Sequence, residues 1–288
     1  MTRWLVTGAG GMLGHALVST LEGVGKVTAA DRATLDITDP AAVAAAVAGH
    51  DIVVNAAAWT DVDGAEAAEE SATAVNGHAV AGLARACAAS GAVLLQISTD
   101  YVFGGTARTP YPETAPTNPI NAYGRGKLVG EQAVAAILPR TGYVVRTGWL
   151  YGAHGGSFVA TVLRLAAQRP TLDVVDDQHG QPTWTRALAE QLAALGAAAV
   201  RGAAPAGVYH GTASGQTSWF GLARAVLAGT GQDPDRVRPT SSAAFPRPAP
   251  RPAYSVLGHD RWPAAGVPSQ PPWQAQLAEA LRTEPPSV

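Results

Sequence analysis

Short apolar runs separated by helix-forming stretches dominate the first half of the chain. The runs at 4–7, 26–30, 52–55, 93–98 and 143–146 are mostly continuous in apolar character, not alternating. That is the pattern of strands buried on both faces of a parallel sheet. Helices are predicted between them, at 12–21, 41–48, 72–89 and 122–136. Asp39-Pro40 reads as an N-cap followed by proline at the first helical position. Strand–helix alternation of this kind predicts an α/β protein, a doubly wound parallel sheet of Rossmann type with right-handed crossovers.

After residue 150 the pattern loosens. Helices are predicted at 158–168, 185–198 and 220–228, with short strands at 172–175 and 208–210. Of the 21 prolines, eleven fall after residue 238, so the C-terminal fifth is expected to be mostly ordered loop over the surface. The organisation predicted is a core over 1–150 and a smaller lobe over 151–288, interleaved with the core and capping its strand ends. The length of 288 residues suits such a large domain with a lobe.

Composition narrows the partners. Hydrophobic residues make up 47%, enough for a sizeable core, while charged residues are only 15% and the formal net charge is −2. No nucleic-acid-binding surface is implied. No signal peptide precedes the first strand and no apolar run reaches spanning length, so no membrane contact is expected and the protein reads as soluble and cytoplasmic. Lone Cys87, in an Ala-rich helical stretch, reads as a buried structural thiol.

The chemistry begins at the first loop. Gly8, Gly11 and Gly14 fall as Gly-x-x-Gly-x-x-Gly between the first strand and the first helix. Gly8 would permit the tight turn, Gly11 would admit a pyrophosphate to the backbone N–H groups, and Gly14 would let helix and strand pack closely. Asp31, at the end of the second strand, suits the ribose hydroxyls of NAD, whereas Arg32 beside it suits the 2′-phosphate of NADP. Asp36 and Ile37 could border an adenine or simply form a capped turn. Asn55-Ala-Ala-Ala58 offers small residues, Ala57 and Ala58 among them, against which a cofactor could lie, and leads to Thr60. Asn76 could brace the end of the fourth strand, or be a satisfied polar core residue.

Lys26 and Lys127 are the only lysines in a chain that otherwise uses arginine, and Tyr123 stands four residues before Lys127. On a helix these side chains share a face. The fourth strand runs into Ser98-Thr99-Asp100-Tyr101, at the carboxyl end where open α/β sheets bind ligands. A hydroxyl, a phenol and an ammonium beside a nicotinamide cofactor make a carbonyl-reduction site. Thr99 would orient the carbonyl oxygen, Tyr123 would protonate it, and Lys127 would lower the Tyr123 pKa and bond the nicotinamide ribose.

Together these residues resemble the extended short-chain dehydrogenase/reductase superfamily, and within it the dTDP-4-dehydrorhamnose reductase family. The resemblance rests on Asn55-Ala-Ala-Ala-Trp-Thr-Asp-Val-Asp63, Ser98-Thr-Asp-Tyr-Val-Phe103, Tyr123-Gly-Arg-Gly-Lys127, Arg146-Thr-Gly-Trp-Leu-Tyr-Gly152, Asp176-Asp-Gln-His-Gly-Gln-Pro-Thr183, Tyr209-His210 and Arg251-Pro252. It implies reduction, by NADPH or NADH, of the C4 ketone of a dTDP-4-dehydro-6-deoxy-L-hexose. Carried over by position, Tyr123 is the proton donor and Lys127 its partner; Thr99, Asp100 and Trp149 contact the sugar. Gly11, Met12, Leu13, Asp31, Asp36, Ile37, Ala58 and Thr60 match cofactor-lining positions.

The chain also departs from the family pattern. Gly64 stands where lysine is common, and Tyr254 and Val256 replace an asparagine and an arginine, at the nucleotide end of the substrate site or in the packing of the cap. Ala16 occupies the position of a glutamate that helps some members bind magnesium between subunits. No metal-bridged dimer is therefore expected, and a monomer or weak homodimer is. Three alternatives stay open. They are a 4-ketoreductase for another deoxysugar, an epimerase with tightly held NAD, and a regulatory subunit like that of methionine adenosyltransferase.

Overall fold

The computed structural model describes residues 1–285; Pro286, one of the C-terminal prolines, lies outside them. The first half runs β1 (Arg3–Thr7), α1 (Met12–Glu22), β2 (Lys26–Ala30), α2 (Pro40–Val47), β3 (Ile52–Asn55), α3 (Val62–Ala67), α4 (Glu69–Thr73), α5 (Ala79–Ser90), β4 (Val93–Thr99), α6 (Ala122–Ile137) and β5 (Gly142–Thr147). The second half runs β6 (Leu150–Tyr151), α7 (Phe158–Gln168), β7 (Leu172–Val175), β8 (His179–Gly180), β9 (Thr183–Trp184), α8 (Thr185–Val200), β10 (Gly207–His210), β11 (Thr217–Ser218), α9 (Trp219–Gly229), β12 (Val237–Thr240) and α10 (Trp273–Thr283).

The central sheet has six strands in the order β10-β5-β4-β3-β1-β2, every pair parallel. The continuous apolar runs explain this: Ile52, Val53 and Val54 are wholly buried, as is the whole of β4. On one face Leu13, Leu17 and Leu21 of α1 meet Leu188, Leu192 and Leu195 of α8. On the other, Val43 and Val47 of α2 pack with Val80, Leu83 and Cys87 of α5 and Val134 of α6. Burying each such leucine contributes about 2 kcal/mol. Strand order reverses between β1 and β3, and a crevice opens at that switch point above the strand ends.

The predicted helices at 12–21, 41–48 and 122–136 form, and Asp39 caps α2 by accepting from the backbone N–H groups of Ala41 and Ala42. The helix predicted over 72–89 forms differently. It divides into α4, a π turn over Ala74–His78 and α5. Asn76, in the π turn, accepts from the Trp59 N–H at 2.9 Å and donates to the Trp59 carbonyl at 3.0 Å. It therefore braces the loop after β3, not the end of the fourth strand, and it is a satisfied polar core residue.

The second half supplies more of the sheet than its loosened pattern suggests. The strand predicted at 208–210 is not part of the cap; as β10 it pairs with β5 and closes one sheet edge. The cap has its own core, in which Tyr151, Val159 and Val162 pack with Leu222, Val226, Trp273 and Leu277.

Most of the C-terminal fifth is ordered loop and much of it is exposed, as its prolines suggest, but part of it turns inward. It contains α10, and the stretch before that helix buries Leu257, Trp262 and Val267. Proline removes backbone donors, and that does not dictate exposure. The remaining polar groups find partners: Gln181 accepts from the Leu257 N–H at 2.7 Å and donates back to its carbonyl, and Trp262 Nε1 donates to the His210 carbonyl at 2.7 Å. Val256 is buried in this strap, and its carbonyl accepts from the Tyr111 N–H at 2.9 Å. The Tyr254 hydroxyl donates to Gln216 Oε1 at 2.9 Å. Both departures from the family pattern thus take part in the packing of the strap.

Candidate active site

One cleft of about 1270 Å³ runs along the crevice. Every residue singled out in the sequence as a cofactor, substrate or catalytic candidate lines it: Gly8, Gly11, Met12, Leu13, Gly14, Asp31, Arg32, Asp36, Ile37, Ala57, Ala58, Thr60, Thr99, Asp100, Tyr123, Lys127 and Trp149.

At one end lies the glycine loop. Gly8 has φ +71°, and a Cβ there would lie 2.5 Å from the Ala57 backbone nitrogen. The glycine therefore serves both a left-handed turn and a close approach between the β1 and β3 loops. A Cβ on Gly14 would run into the Gly8 carbonyl and the Ala9 backbone. Gly11 is the N-cap of α1 and offers no side-chain cap, so the first N–H groups of that helix face the cleft free of one. That arrangement suits a pyrophosphate.

Asp31 turns back into its own loop, accepting from the N–H groups of Ala33 and Thr34 and from the Thr34 hydroxyl. These bonds, led by the Thr34 hydroxyl, hold its carboxyl below the usual range. Asp36 does the same at Thr38, so the capped turn is real even though Asp36 and Ile37 also line the cleft.

The other end holds the polar groups of β4 and α6. Asn121 caps α6, accepting from the Gly124 N–H at 2.8 Å, and so points Tyr123 and Lys127 at the end of β4. Lys127 is buried, and its Nζ donates to the Ile97 carbonyl at 2.6 Å. Burial pulls its pKa down to about 8, while the Glu131 carboxylate one turn on works the other way. The Thr99 hydroxyl donates to Asp100 Oδ1 at 3.0 Å and accepts from the Tyr101 N–H at 3.1 Å. It is both the turn cap and a site hydroxyl. Burial raises Asp100 to about 6, opposed by the hydroxyls of Ser255 and Thr99. Gly148 makes room for that carboxyl, since a Cβ there would lie 2.7 Å from Asp100 Cγ.

Tyr123 departs from expectation. Its pKa is pushed up to about 12, by burial first and then by the charge of Asp100, with Thr99 opposing. Lys127 is not among the groups that shift it, and its ammonium is turned to the Ile97 carbonyl. A phenol in this state keeps its proton at neutral pH and can donate it. The Thr99 hydroxyl, expected to orient a carbonyl oxygen, donates its proton to Asp100.

Trp149 is the one non-glycine residue with positive φ among the described residues, at +52°. That conformation costs a side-chain-bearing residue about 1 kcal/mol. Its ring stacks on Trp219, which also lines the cleft.

Four residues of the site escaped sequence reasoning. Ser255 comes from the proline-rich strap, and Trp219 opens a cap helix. Glu131 shared the helix face of Lys127, and that i, i+4 spacing was the available signal. Gly148 lay inside a string already singled out. No group of three or more His, Cys, Asp or Glu side chains arranged to hold a metal occurs among the described residues. Likewise no helix there is long and apolar enough to cross a membrane.

A doubly wound sheet with a glycine loop at its switch point and a Tyr–Lys pair beside β4 has the extended short-chain dehydrogenase/reductase fold. The chain belongs to the family described as the RmlD substrate binding domain, whose model matches residues 2–284. It is 57% identical over 282 residues to a dTDP-4-dehydrorhamnose reductase of Streptomyces griseus, covering 97% of this chain and 93% of that protein. It is 50% identical to a dTDP-4-keto-6-deoxy-D-glucose reductase of Streptomyces niveus, covering 97% and 96%. Among solved structures it is similar to a dTDP-4-dehydrorhamnose reductase of Bacillus anthracis in complex with NADP, at a TM-score of 0.91 and 33% identity over 98% of this chain and 99% of that one.

Proposed function

We propose that this chain reduces the C4 ketone of a dTDP-4-dehydro-6-deoxy-L-hexose, with dTDP-4-dehydro-L-rhamnose the substrate and dTDP-L-rhamnose the product. The observation that carries this reading is the convergence of Thr99, Asp100, Tyr123 and Lys127 on the cleft that begins at the glycine loop. The named activities of the Streptomyces relatives support the substrate class.

The residues present fit a nicotinamide dinucleotide, NADPH or NADH. The uncapped N-terminus of α1 would take the pyrophosphate, Ala57, Ala58 and Thr60 would flank it, and Asp31 and Arg32 would face the adenosine ribose. When bound, that cofactor supplies the hydride. Tyr123 holds the proton that the developing alkoxide requires, its phenol kept neutral by burial. Asp100 holds the Thr99 hydroxyl, and Thr99 in turn faces the phenol. Lys127 brings a positive charge to the wall of the cleft and is held there by the Ile97 carbonyl. Trp149 would lie against the sugar ring.

A regulatory role has no need of a buried lysine and a proton-holding tyrosine in one cleft. The test is NADPH oxidation by the purified protein across a panel of dTDP-4-keto-6-deoxy sugars. The rhamnose precursor is expected to give the highest kcat/KM; no turnover of it with turnover of another sugar would reassign the substrate.

A further inference from the structure

We propose that Trp219 is a positioning residue for substrate binding. Stacked on Trp149, it holds that indole as a fixed wall of the sugar end of the cleft and thereby sets sugar-nucleotide affinity. This rests on the function proposed above.

The two rings lie 3.4 Å apart between centroids and 4° from parallel, and both border the cleft. Full face-to-face overlap is not the arrangement aromatic pairs prefer when free, so the surroundings must impose it. They do so by fixing Trp219. Trp219 Nε1 donates to Gln178 Oε1 at 3.2 Å, and the Phe158 ring lies 4.6 Å away at 54°. The neighbouring Ser218 caps α9 by accepting from the Gly221 N–H and donates to Asp176, which fixes the helix end that carries Trp219.

Gly180 packs against Trp149, since a Cβ there would come within 2.6 Å of the Trp149 indole nitrogen. Trp149 thus abuts Gly180 as well as Trp219.

The backbone shows why the ring needs support. Trp149 has φ +52°, a conformation that side-chain-bearing residues hold only when their surroundings determine it. Gly148, one residue earlier, abuts the Asp100 carboxyl. The stacked ring is therefore placed next to the polar end of the cleft, and α9 of the cap is what holds it there. Trp219 would act through Trp149, not through the cofactor loop.

Stacked indoles give an exciton couplet in the circular dichroism spectrum, which reports the pair independently of activity. Trp219→Leu should abolish the couplet and raise the KM for dTDP-4-dehydro-L-rhamnose about tenfold, with kcat and the KM for NADPH within about threefold. Trp219→Phe, which restores an aromatic face, should bring the sugar-nucleotide KM back to within about threefold of the unsubstituted protein. In a Trp149→Phe background, Trp219→Leu should add little, because the residue it positions is gone.

Loss of the couplet with an unaltered sugar-nucleotide KM would overturn the inference and leave the function standing. So would full additivity of the two substitutions, which would mean that Trp219 acts on its own, and so would an equal rise in both KM values with a fall in melting temperature. Failure of the unsubstituted protein to turn over any dTDP-4-keto sugar would instead count first against the function.

Discussion

Lys127 Nζ and the Ile97 carbonyl oxygen lie 2.6 Å apart in the wall of the cleft. The same carbonyl accepts from Gln96 Nε2 at 2.7 Å, and Gln96 Oε1 accepts from Asn55 Nδ2 at 2.7 Å. Asn55 Oδ1 in turn accepts from the Thr7 hydroxyl, immediately before the glycine loop. A buried chain of hydrogen bonds thus joins β1, β3 and β4 to the lysine of α6, and fixes an ammonium that burial alone would destabilise.

The pH dependence of activity follows from two buried charges that line the cleft. Asp100 is raised to about 6 and Lys127 lowered to about 8. In the free protein kcat/KM should therefore fall below about pH 6 as Asp100 gains a proton, and above about pH 8 as Lys127 loses one. Asp100→Asn should remove the acidic limb. It should also change stability with a definite sign. The folded carboxyl holds its proton more tightly than the unfolded one, so ionising it costs stability as pH rises from about 4 through about 6. Asp100→Asn should melt higher than the unsubstituted protein at neutral pH, with the gap closing near pH 4; no gap at neutral pH would mean that the carboxyl is not strained by burial.

Glu131 carries a second expectation. It accepts a bidentate pair of bonds from Arg146, at 2.9 Å from Nε and 2.7 Å from Nη2, and a third from Ser98, all buried. Glu131→Leu leaves Arg146 charged and unpaired and should cost about 3 kcal/mol or more in denaturant unfolding. Glu131→Gln should cost less, and because Glu131 supports the charge on Lys127 it should move the basic limb of the activity profile below about pH 8. An unmoved limb would separate Glu131 from the lysine.

Arg32 gives a test of cofactor choice. The Asp31 carboxyl is drawn into its own turn at Ala33 and Thr34, while Arg32 lines the cleft beside it. NADPH should be accepted at least as well as NADH. Arg32→Ala should raise the KM for NADPH about tenfold and leave that for NADH within about twofold. Equal effects on both would remove Arg32 from the 2′-phosphate.

Much of this was legible in the chain because it was local. Gly8, Gly11 and Gly14 stand at the end of one strand, and Tyr123 and Lys127 share a helix turn, so spacing alone brings each set together. Small-residue needs such as that of Gly148 beside Asp100 arise from contacts between distant segments, and spacing carries no trace of them. The buried strap and α10 were obscured by prolines, whose missing N–H groups resemble those of surface loops until Gln181 is seen bonding Leu257. The direction of the Lys127 ammonium depends on a carbonyl thirty residues away. The stack of Trp149 on Trp219 depends on how the cap folds back onto β5.

The reaction proposed for this cleft depends on Tyr123 donating a proton to a ketone. The most direct measurement is NADPH oxidation with dTDP-4-dehydro-L-rhamnose by the protein and by Tyr123→Phe, with NADPH binding measured on both. Turnover is expected of the first and a loss of about 10²–10⁴ in kcat of the second, with cofactor binding little changed. Equal rates for the two proteins, with Tyr123→Phe folded and binding NADPH, would contradict it.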